Sequence, residues 1–358
     1  MKLIFLKQDG LAHTSVARIE QMTKRHLSRR QQWRIKKIQE EREARATRRD
    51  ANQNVADDTA LGPEQSGLVT AHYGTQLEVE ALAGGQTGQS FRCHFRANLE
   101  QIVTGDRVAW RSGQDGLGVV VARMTRNSEL SRPDIHGNLR AIAANVDRIF
   151  VVIAPEPVTP VVVLDRYLVA AETVQIPAVL LINKSDKLAG QQGERLDAMA
   201  NLYESIGYQV IKTSTINTTG LSELYRELEG HTSIFVGQSG VGKSSLINAL
   251  LPGTGLAVSA VSEATGKGVH TTTTARLFHL PKSGDVVDSP GIREFGLWHI
   301  DSWQLLEGFR EFRPYIGRCR FRDCRHHSEP DCALKNAVAK GEITTQRIRS
   351  YEQILTTL

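Results

Sequence analysis

The sequence predicts a multidomain chain with three folded parts: a small N-terminal β-barrel, a central α/β domain on a mainly parallel sheet, and a helical C-terminal region organised by a metal. Three observations carry this. Five short β-prone stretches separated by glycine-rich turns fill about 60 residues from Gly67 onward. From about Asn145, apolar strand patterns alternate with helical ones. Near the C-terminus, Cys319, Cys324, His326 and Cys332 crowd into one short segment.

Composition bounds the answer. A chain of 358 residues with 40% hydrophobic content has room for two or three domains with ordinary cores, which excludes a wholly disordered protein. The longest apolar runs, such as Ile149 to Ala154, fall far short of the roughly 18 residues needed to cross a bilayer, and the Met1–Leu6 start has too short an apolar core for a secretory signal. A cytoplasmic protein without membrane contact, acting as a monomer, is expected. Four cysteines, one alone at Cys93 and three clustered, suit a metal better than disulfides.

In chain order, residues 1–66 form a basic arm and linker. Between Met22 and Arg49 there are eleven Lys or Arg against three Glu, while the whole chain carries only +5. That segment has too few large apolar groups to fold alone, so it reads either as a solvated arm or as an arm that neutralises RNA phosphates. Residues 67–130 form the barrel, with strands at Gly67–Tyr73, Thr75–Glu80, Phe91–Arg96, Asp106–Trp110 and Gly118–Ala122; an OB-fold is the arrangement expected. Phe91, Phe95 and Trp110 read as core residues, with base stacking as the alternative, and Cys93 reads as packing.

Residues 141–298 form the α/β domain. Val146–Ala154, Pro177–Ile182, Tyr208–Thr213 and Ser233–Val236 read as strands, and Pro160–Val174, Glu194–Ile206 and Leu221–Leu228 as helices. Ligands of such sheets bind at the carboxyl ends of the strands, and the motifs fall there. Gly237-Gln238-Ser239-Gly240-Val241-Gly242-Lys243-Ser244, followed by Ser245, matches the phosphate-binding P-loop between a strand and a helix. Its backbone amides can close around phosphate oxygens, Lys243 can reach the β- and γ-phosphates, and Ser244 can ligate Mg²⁺.

A P-loop alone leaves ATP and GTP open. Asn183-Lys184-Ser185-Asp186 supplies a base reader: the Asp186 carboxylate can accept the N1–H and amino hydrogens of guanine, with Asn183 supporting the loop and the Lys184 stem lying on the ring. Thr213-Ser214-Thr215, at another strand end, can set a backbone N–H against guanine O6. Asp288-Ser289-Pro290-Gly291 fits the switch motif in which Asp288 helps hold Mg²⁺ and the Gly291 N–H senses the γ-phosphate. The Gly268–Thr274 segment suits the other switch, with Thr272 or Thr273 as the threonine that meets the metal. The base reader thus precedes the P-loop, the reverse of the ordinary order but the same order cyclically. Circular permutation accounts for all the motifs at once.

The C-terminal region, 299–358, holds Cys319-x4-Cys324-x-His326-x5-Cys332, a Cys₃His set for one structural Zn²⁺, with His327 competing for the histidine position. The combined pattern over residues 22–358 resembles the RsgA or YjeQ family of small-ribosomal-subunit biogenesis GTPases. The resemblance selects His326 as the zinc ligand. It also implies GTP hydrolysis stimulated by the 30S subunit in late assembly, with the barrel and zinc region touching 16S rRNA. Ile292 stands where a water-orienting glutamine usually follows the switch motif, so slow intrinsic hydrolysis is expected, with His270 as the residue that positions water or, alternatively, packs the switch. Two other readings stay open on the residues alone: a GTP-gated binding module, and a P-loop ATPase in which the NKSD string is fortuitous.

Overall fold

The computed structural model describes residues 61–358 apart from 96–98, 100, 114–115, 135, 252–274, 289–295, 298–299 and 328. The basic arm, His270, Thr272, Thr273, Gly291 and Ile292 lie outside the described residues.

The first five strands are β1 (Glu64–His72), β2 (Leu77–Ala81), β3 (Ser90–Phe95), β4 (Arg107–Ser112) and β5 (Leu117–Arg123). They hydrogen-bond in the order β1-β2-β3-β5-β4, and β4 returns to pair with β1, so the sheet closes into a barrel. The alternation of Leu77, Glu78, Val79, Glu80 and Ala81 turns Leu77, Val79 and Ala81 inward, as the period of two requires. Trp110 fills the barrel and is fully buried, with the Phe91 ring 4.7 Å from it. Gly118 makes room for it: a Cβ there would stand 2.5 Å from Cys93 Sγ and 2.9 Å from the indole. Cys93 is enclosed in this core, where burial pushes its thiol up to about 12.

Next comes a hairpin, β6 (Glu129–Pro133) with β7 (Leu139–Ala144). The α/β domain follows with β8 (Arg148–Ile153), α1 (Val161–Thr173), β9 (Ala178–Ile182), α2 (Gly190–Ser205), β10 (Gln209–Lys212), α3 (Leu221–Leu228), β11 (Thr232–Val236), α4 (Lys243–Leu250), β12 (Arg276–His279) and β13 (Asp285–Asp288). Its strands lie in the order β10-β9-β8-β11-β13-β12, all parallel except β12.

The apolar runs of β8 and β9 are buried on both faces, as a sheet sandwiched by helices demands. Period two divides them between two cores. Ile149, Val151, Ile153, Leu180 and Ile182 meet Leu164 and Leu168 of α1 and Leu196 of α2. Phe150, Val152, Val179 and Leu181 meet Leu224 of α3 and Leu246 of α4 on the other side.

The barrel and the α/β sheet are continuous. Ala71 of β1 pairs with Arg276 of the edge strand β12, Thr104 Oγ1 donates to Ala275 O at 3.0 Å, and Arg276 lies 3.5 Å from Glu78. His279 sits between two carboxylates, with Nδ1 2.6 Å from Asp285 and Nε2 2.5 Å from Glu80 of the barrel. Asp285 first, and Glu80 against the opposing effect of burial, raise its pKa to about 9. A histidine pKa raised on folding stabilises fully below the unfolded value near 6.5, and that contribution disappears as pH climbs through 9. The ring is half exposed, so solvent screening limits the effect to about 1 kcal/mol. Thermal melts from pH 6 to 10 should therefore show a steeper fall for the parent protein than for His279→Gln; parallel curves would contradict the bridge.

The C-terminal layer comprises α5 (Ser302–Gly308), a 3₁₀ turn at Arg310–Tyr315, α6 (Ala333–Ala339) and α7 (Thr345–Leu355). Asp301 starts α5 with a reciprocal capping box to Gln304. Phe309, Phe312, Tyr351 and Ile354 share a core with Val169 of α1, so this layer is packed onto the α/β domain itself.

Candidate active site and metal centre

Strand β11 delivers the chain into the Gly237–Gly242 loop, and α4 begins at Lys243. Side chains are excluded where the loop turns. Gly237 has φ +140°, and a Cβ on it would stand 2.3 Å from Val152 O of the neighbouring strand. Gly242 has φ +96°, and its Cβ would stand 2.3 Å from Asn183 Nδ2. In the first turn of α4, Ser244 and Ser245 have no carbonyl four residues back within the helix, which is the general condition for a helix start to receive an anion. The Lys243 ammonium folds back over the loop and donates to Gly237 O and Gln238 O, each at 2.6 Å.

Asn183 leaves β9 fully covered. Its backbone N–H continues the ladder to Ile153 O at 2.8 Å, and its Nδ2 donates to Val241 O of the loop at 2.9 Å. Its Oδ1 is buried without a partner among the described residues. Lys184 takes the left-handed conformation, φ +58°, and its ammonium donates to Gly240 O at 2.8 Å and Glu156 O at 2.6 Å. The NKSD tetrapeptide and the phosphate loop, 58 residues apart for the Asn183–Val241 pair, are therefore one hydrogen-bonded structure.

Asp186 lies in the middle of a short 3₁₀ turn, Ser185–Lys187, and accepts a hydrogen bond from Ser214 Oγ. That hydroxyl in turn accepts the Ile216 N–H at 3.1 Å. The Ser214 turn is closed by its own amide on Thr219 O at 3.0 Å, and Gly220 follows with φ +71° where a Cβ would strike Lys212 O. Asp288 ends β13, next to β11. The carboxyl ends of β9, β10, β11 and β13 thus gather Asn183, Lys184, Asp186, Ser214, the Gly237–Ser245 segment and Asp288 on one edge of the sheet.

The cysteine cluster is a second assembly. The four donor atoms of Cys319, Cys324, His326 and Cys332 lie within 4.8 Å of one another. Cys319 Sγ is 4.0 Å from Cys332 Sγ, and His326 Nδ1 is 3.5, 3.6 and 3.4 Å from Cys319, Cys324 and Cys332. A tetrahedron with Zn–S near 2.3 Å has S···S edges of about 3.8 Å, so this donor set fits a four-coordinate ion. His326 reaches it through a left-handed backbone, φ +63°, while His327 is exposed. Burial lowers the His326 pKa, which favours the neutral ligand form of the imidazole.

Comparison with known proteins places this architecture. A family model described as RsgA GTPase matches residues 123–298. A protein of Pseudomonas aeruginosa strain LESB58 named small ribosomal subunit biogenesis GTPase RsgA is 54% identical over 338 residues, covering 94% of this chain and 98% of that one. The chain belongs to the RsgA GTPase family. A relative of the same name from Marinobacter nauticus is 54% identical over 93% of this chain and 96% of its own length. Among solved structures, YjeQ from Thermotoga maritima aligns with TM-score 0.68 and 31% identity, over 83% of this chain and 99% of that one. YloQ, described as a circularly permuted GTPase, aligns with TM-score 0.65 and 28% identity, over 82% and 95%.

Membership makes the protein a GTP hydrolase that binds guanine nucleotide, with a circularly permuted α/β domain behind a five-stranded barrel. Sequence reasoning missed the Ala154–Val158 loop, whose Glu156 carbonyl accepts from Lys184 and whose Pro157 ring would stand 3.3 Å from a Cβ placed on Gly240. Its position at the carboxyl end of the apolar strand β8 was the available signal.

Proposed function

We propose that this GTPase acts on the small ribosomal subunit, binding the 30S particle and its 16S rRNA late in assembly and hydrolysing GTP to GDP and phosphate faster when bound there. The names of the relatives support this, together with the basic 22–49 arm and the barrel. The observation that carries the nucleotide part is the pair of hydrogen bonds from Asn183 and Lys184 to the phosphate loop.

In this reading Asp186 accepts the guanine N1–H and amino hydrogens, and the Ser214 hydroxyl holds that carboxylate in place. The Gly237–Ser245 amides cradle the phosphates, and Lys243 turns from its loop carbonyls to the β- and γ-oxygens. Ser244 and Asp288 would hold Mg²⁺, which supplies charge neutralisation on the phosphates. In the switches, Thr272 or Thr273 and the Gly291 N–H would register the γ-phosphate, and His270 would position the attacking water that Ile292 cannot. The site for the chemistry is cytoplasmic, and the protein works as a monomer.

The test is single-turnover GTP hydrolysis with and without 30S subunits, alongside co-sedimentation in a non-hydrolysable GTP analogue and in GDP. Stimulation by 30S, lost in His270→Ala, and tighter association in the analogue are expected. Hydrolysis indifferent to 30S would contradict the ribosomal reading, and undiminished stimulation in His270→Ala would remove that residue from the mechanism.

Cys319, Cys324, His326 and Cys332 would hold one Zn²⁺, which ties Arg318–Cys332 to α6 and supplies folding energy that this arginine-rich loop lacks. One zinc per chain is expected by elemental analysis. Cys332→Ala should lose it and expose the 316–332 backbone to hydrogen exchange; full protection in a zinc-free protein would refute a structural role.

A further inference from the structure

Strand β12 is four residues long and lies between β13 and the barrel strand β1. Barrel residues hold both of its ends. Glu80 takes His279 at one end; at the other, Ala71 pairs with Arg276 and the Thr104 hydroxyl donates to Ala275 O at 3.0 Å. The Thr104 end lies beside the proposed chemistry. Arg276 stands directly opposite Asp288 across the β12–β13 ladder, and in the sequence the 268–274 segment suited to the first switch ends directly before Ala275. β13 pairs on its other side with β11, the strand that enters the phosphate loop.

Of the two partners in the Thr104–Ala275 bond, Thr104 is the fixed one. It is fully buried, and its carbonyl accepts the Ala144 N–H at 3.0 Å. Its neighbours are pinned as well. Val103 N–H donates to Asp106 Oδ2 at 2.7 Å, Gly105 N–H donates to Val69 O at 2.8 Å, and Arg126 donates to both Asp106 oxygens, at 2.7 and 2.8 Å. A hydroxyl held in this way sets where Ala275 lies. We propose that Thr104 is a positioning residue for GTP hydrolysis: its hydroxyl fixes the start of β12 and, through the Arg276–Asp288 pair, the place at which Asp288 meets the metal of the nucleotide. The seat of the barrel then sets turnover without any barrel residue touching the nucleotide. This rests on the reading of Asp288 as a holder of Mg²⁺.

The experiment uses the full-length protein and Thr104→Val, Thr104→Ala and Thr104→Ser. It measures kcat and KM for GTP, GDP affinity, melting temperature, and the Mg²⁺ concentration that half-protects a fluorescent non-hydrolysable GTP analogue from release. Valine and alanine both remove the donor, and alanine does so without a branched side chain, so it serves should the valine variant fold poorly. Either is expected to lower kcat about 3- to 10-fold and to raise the Mg²⁺ requirement by a similar factor, the range for one lost hydrogen bond. KM and GDP affinity should stay within about twofold of the parent. Thr104→Ser keeps the donor and should be nearly parental. Turnover and Mg²⁺ requirement unchanged in the donorless variants overturn the proposal, whether or not they melt lower, as does an equal loss in Thr104→Ser. Asp288→Asn is run beside them. If it raises the Mg²⁺ requirement while the donorless variants are silent, the metal reading stands and Thr104 is no part of it; if it leaves the requirement unchanged, the reading of Asp288 falls and the Thr104 proposal with it.

Discussion

Arg347→Ala is expected to lower the stability of the folded protein by about 3 to 5 kcal/mol, the range for breaking a buried ion pair from one side. Arg347 on α7 and Asp165 on α1 are both fully buried and hydrogen-bonded to each other. Glu311 completes the clip, accepting from Arg347 Nε at 2.5 Å and from Nη2 at 3.2 Å. The guanidinium also lies over the Phe309 ring, 4.4 Å from its centroid. Burial works against the charge of Arg347, yet the two carboxylates hold it well above its ordinary range.

Truncation removes the cation from Asp165 and leaves its buried carboxylate with neutral neighbours such as the Tyr203 hydroxyl. The C-terminal layer shares its core with α1, so its seating on the α/β domain should loosen with it. Denaturant unfolding of Arg347→Ala measures the loss. The Asp165→Leu/Arg347→Met double variant, which replaces the pair by apolar groups, should recover most of it. A single variant within 1 kcal/mol of the parent would contradict this view of the interface.

The clip shows which parts of the molecule the sequence could not disclose. Asp165 and Arg347 are 182 residues apart, and nothing local marks either as a partner. The central strands were legible because parallel strands buried on both faces need uninterrupted apolar runs, which Ile149–Ile153 and Ala178–Ile182 supply. The phosphate loop was legible because its glycines answer to backbone approach, seen at Gly237 and Gly242. The β6–β7 hairpin was not, because Arg132, Pro133, Asp134 and Arg140 break any alternation, and its turn is set by the Asp134 carboxylate accepting the His136 and Asn138 amides. Strand β12 has four residues, too few for a period, and its place in the sheet comes from pairing with β13 and the barrel. At the metal cluster the residues gave the donor types, while the choice between His326 and His327 follows from which backbone turns its ring inward.

The permuted chain is expected to bring the 183–186 tetrapeptide and the 237–244 loop to one guanine nucleotide. Equilibrium binding of GTP and XTP to the parent and to Asp186→Asn tests this most directly. With Asp186 as the proposed base reader, asparagine would remove a charged acceptor of two hydrogen bonds to guanine, each worth about 1.5 to 3 kcal/mol, while offering xanthine a donor for its 2-oxo group. GTP should bind about 100-fold or more weakly to the variant, with XTP now the preferred ligand and the melting temperature little changed. A variant that keeps the parental preference for GTP over XTP would contradict the account.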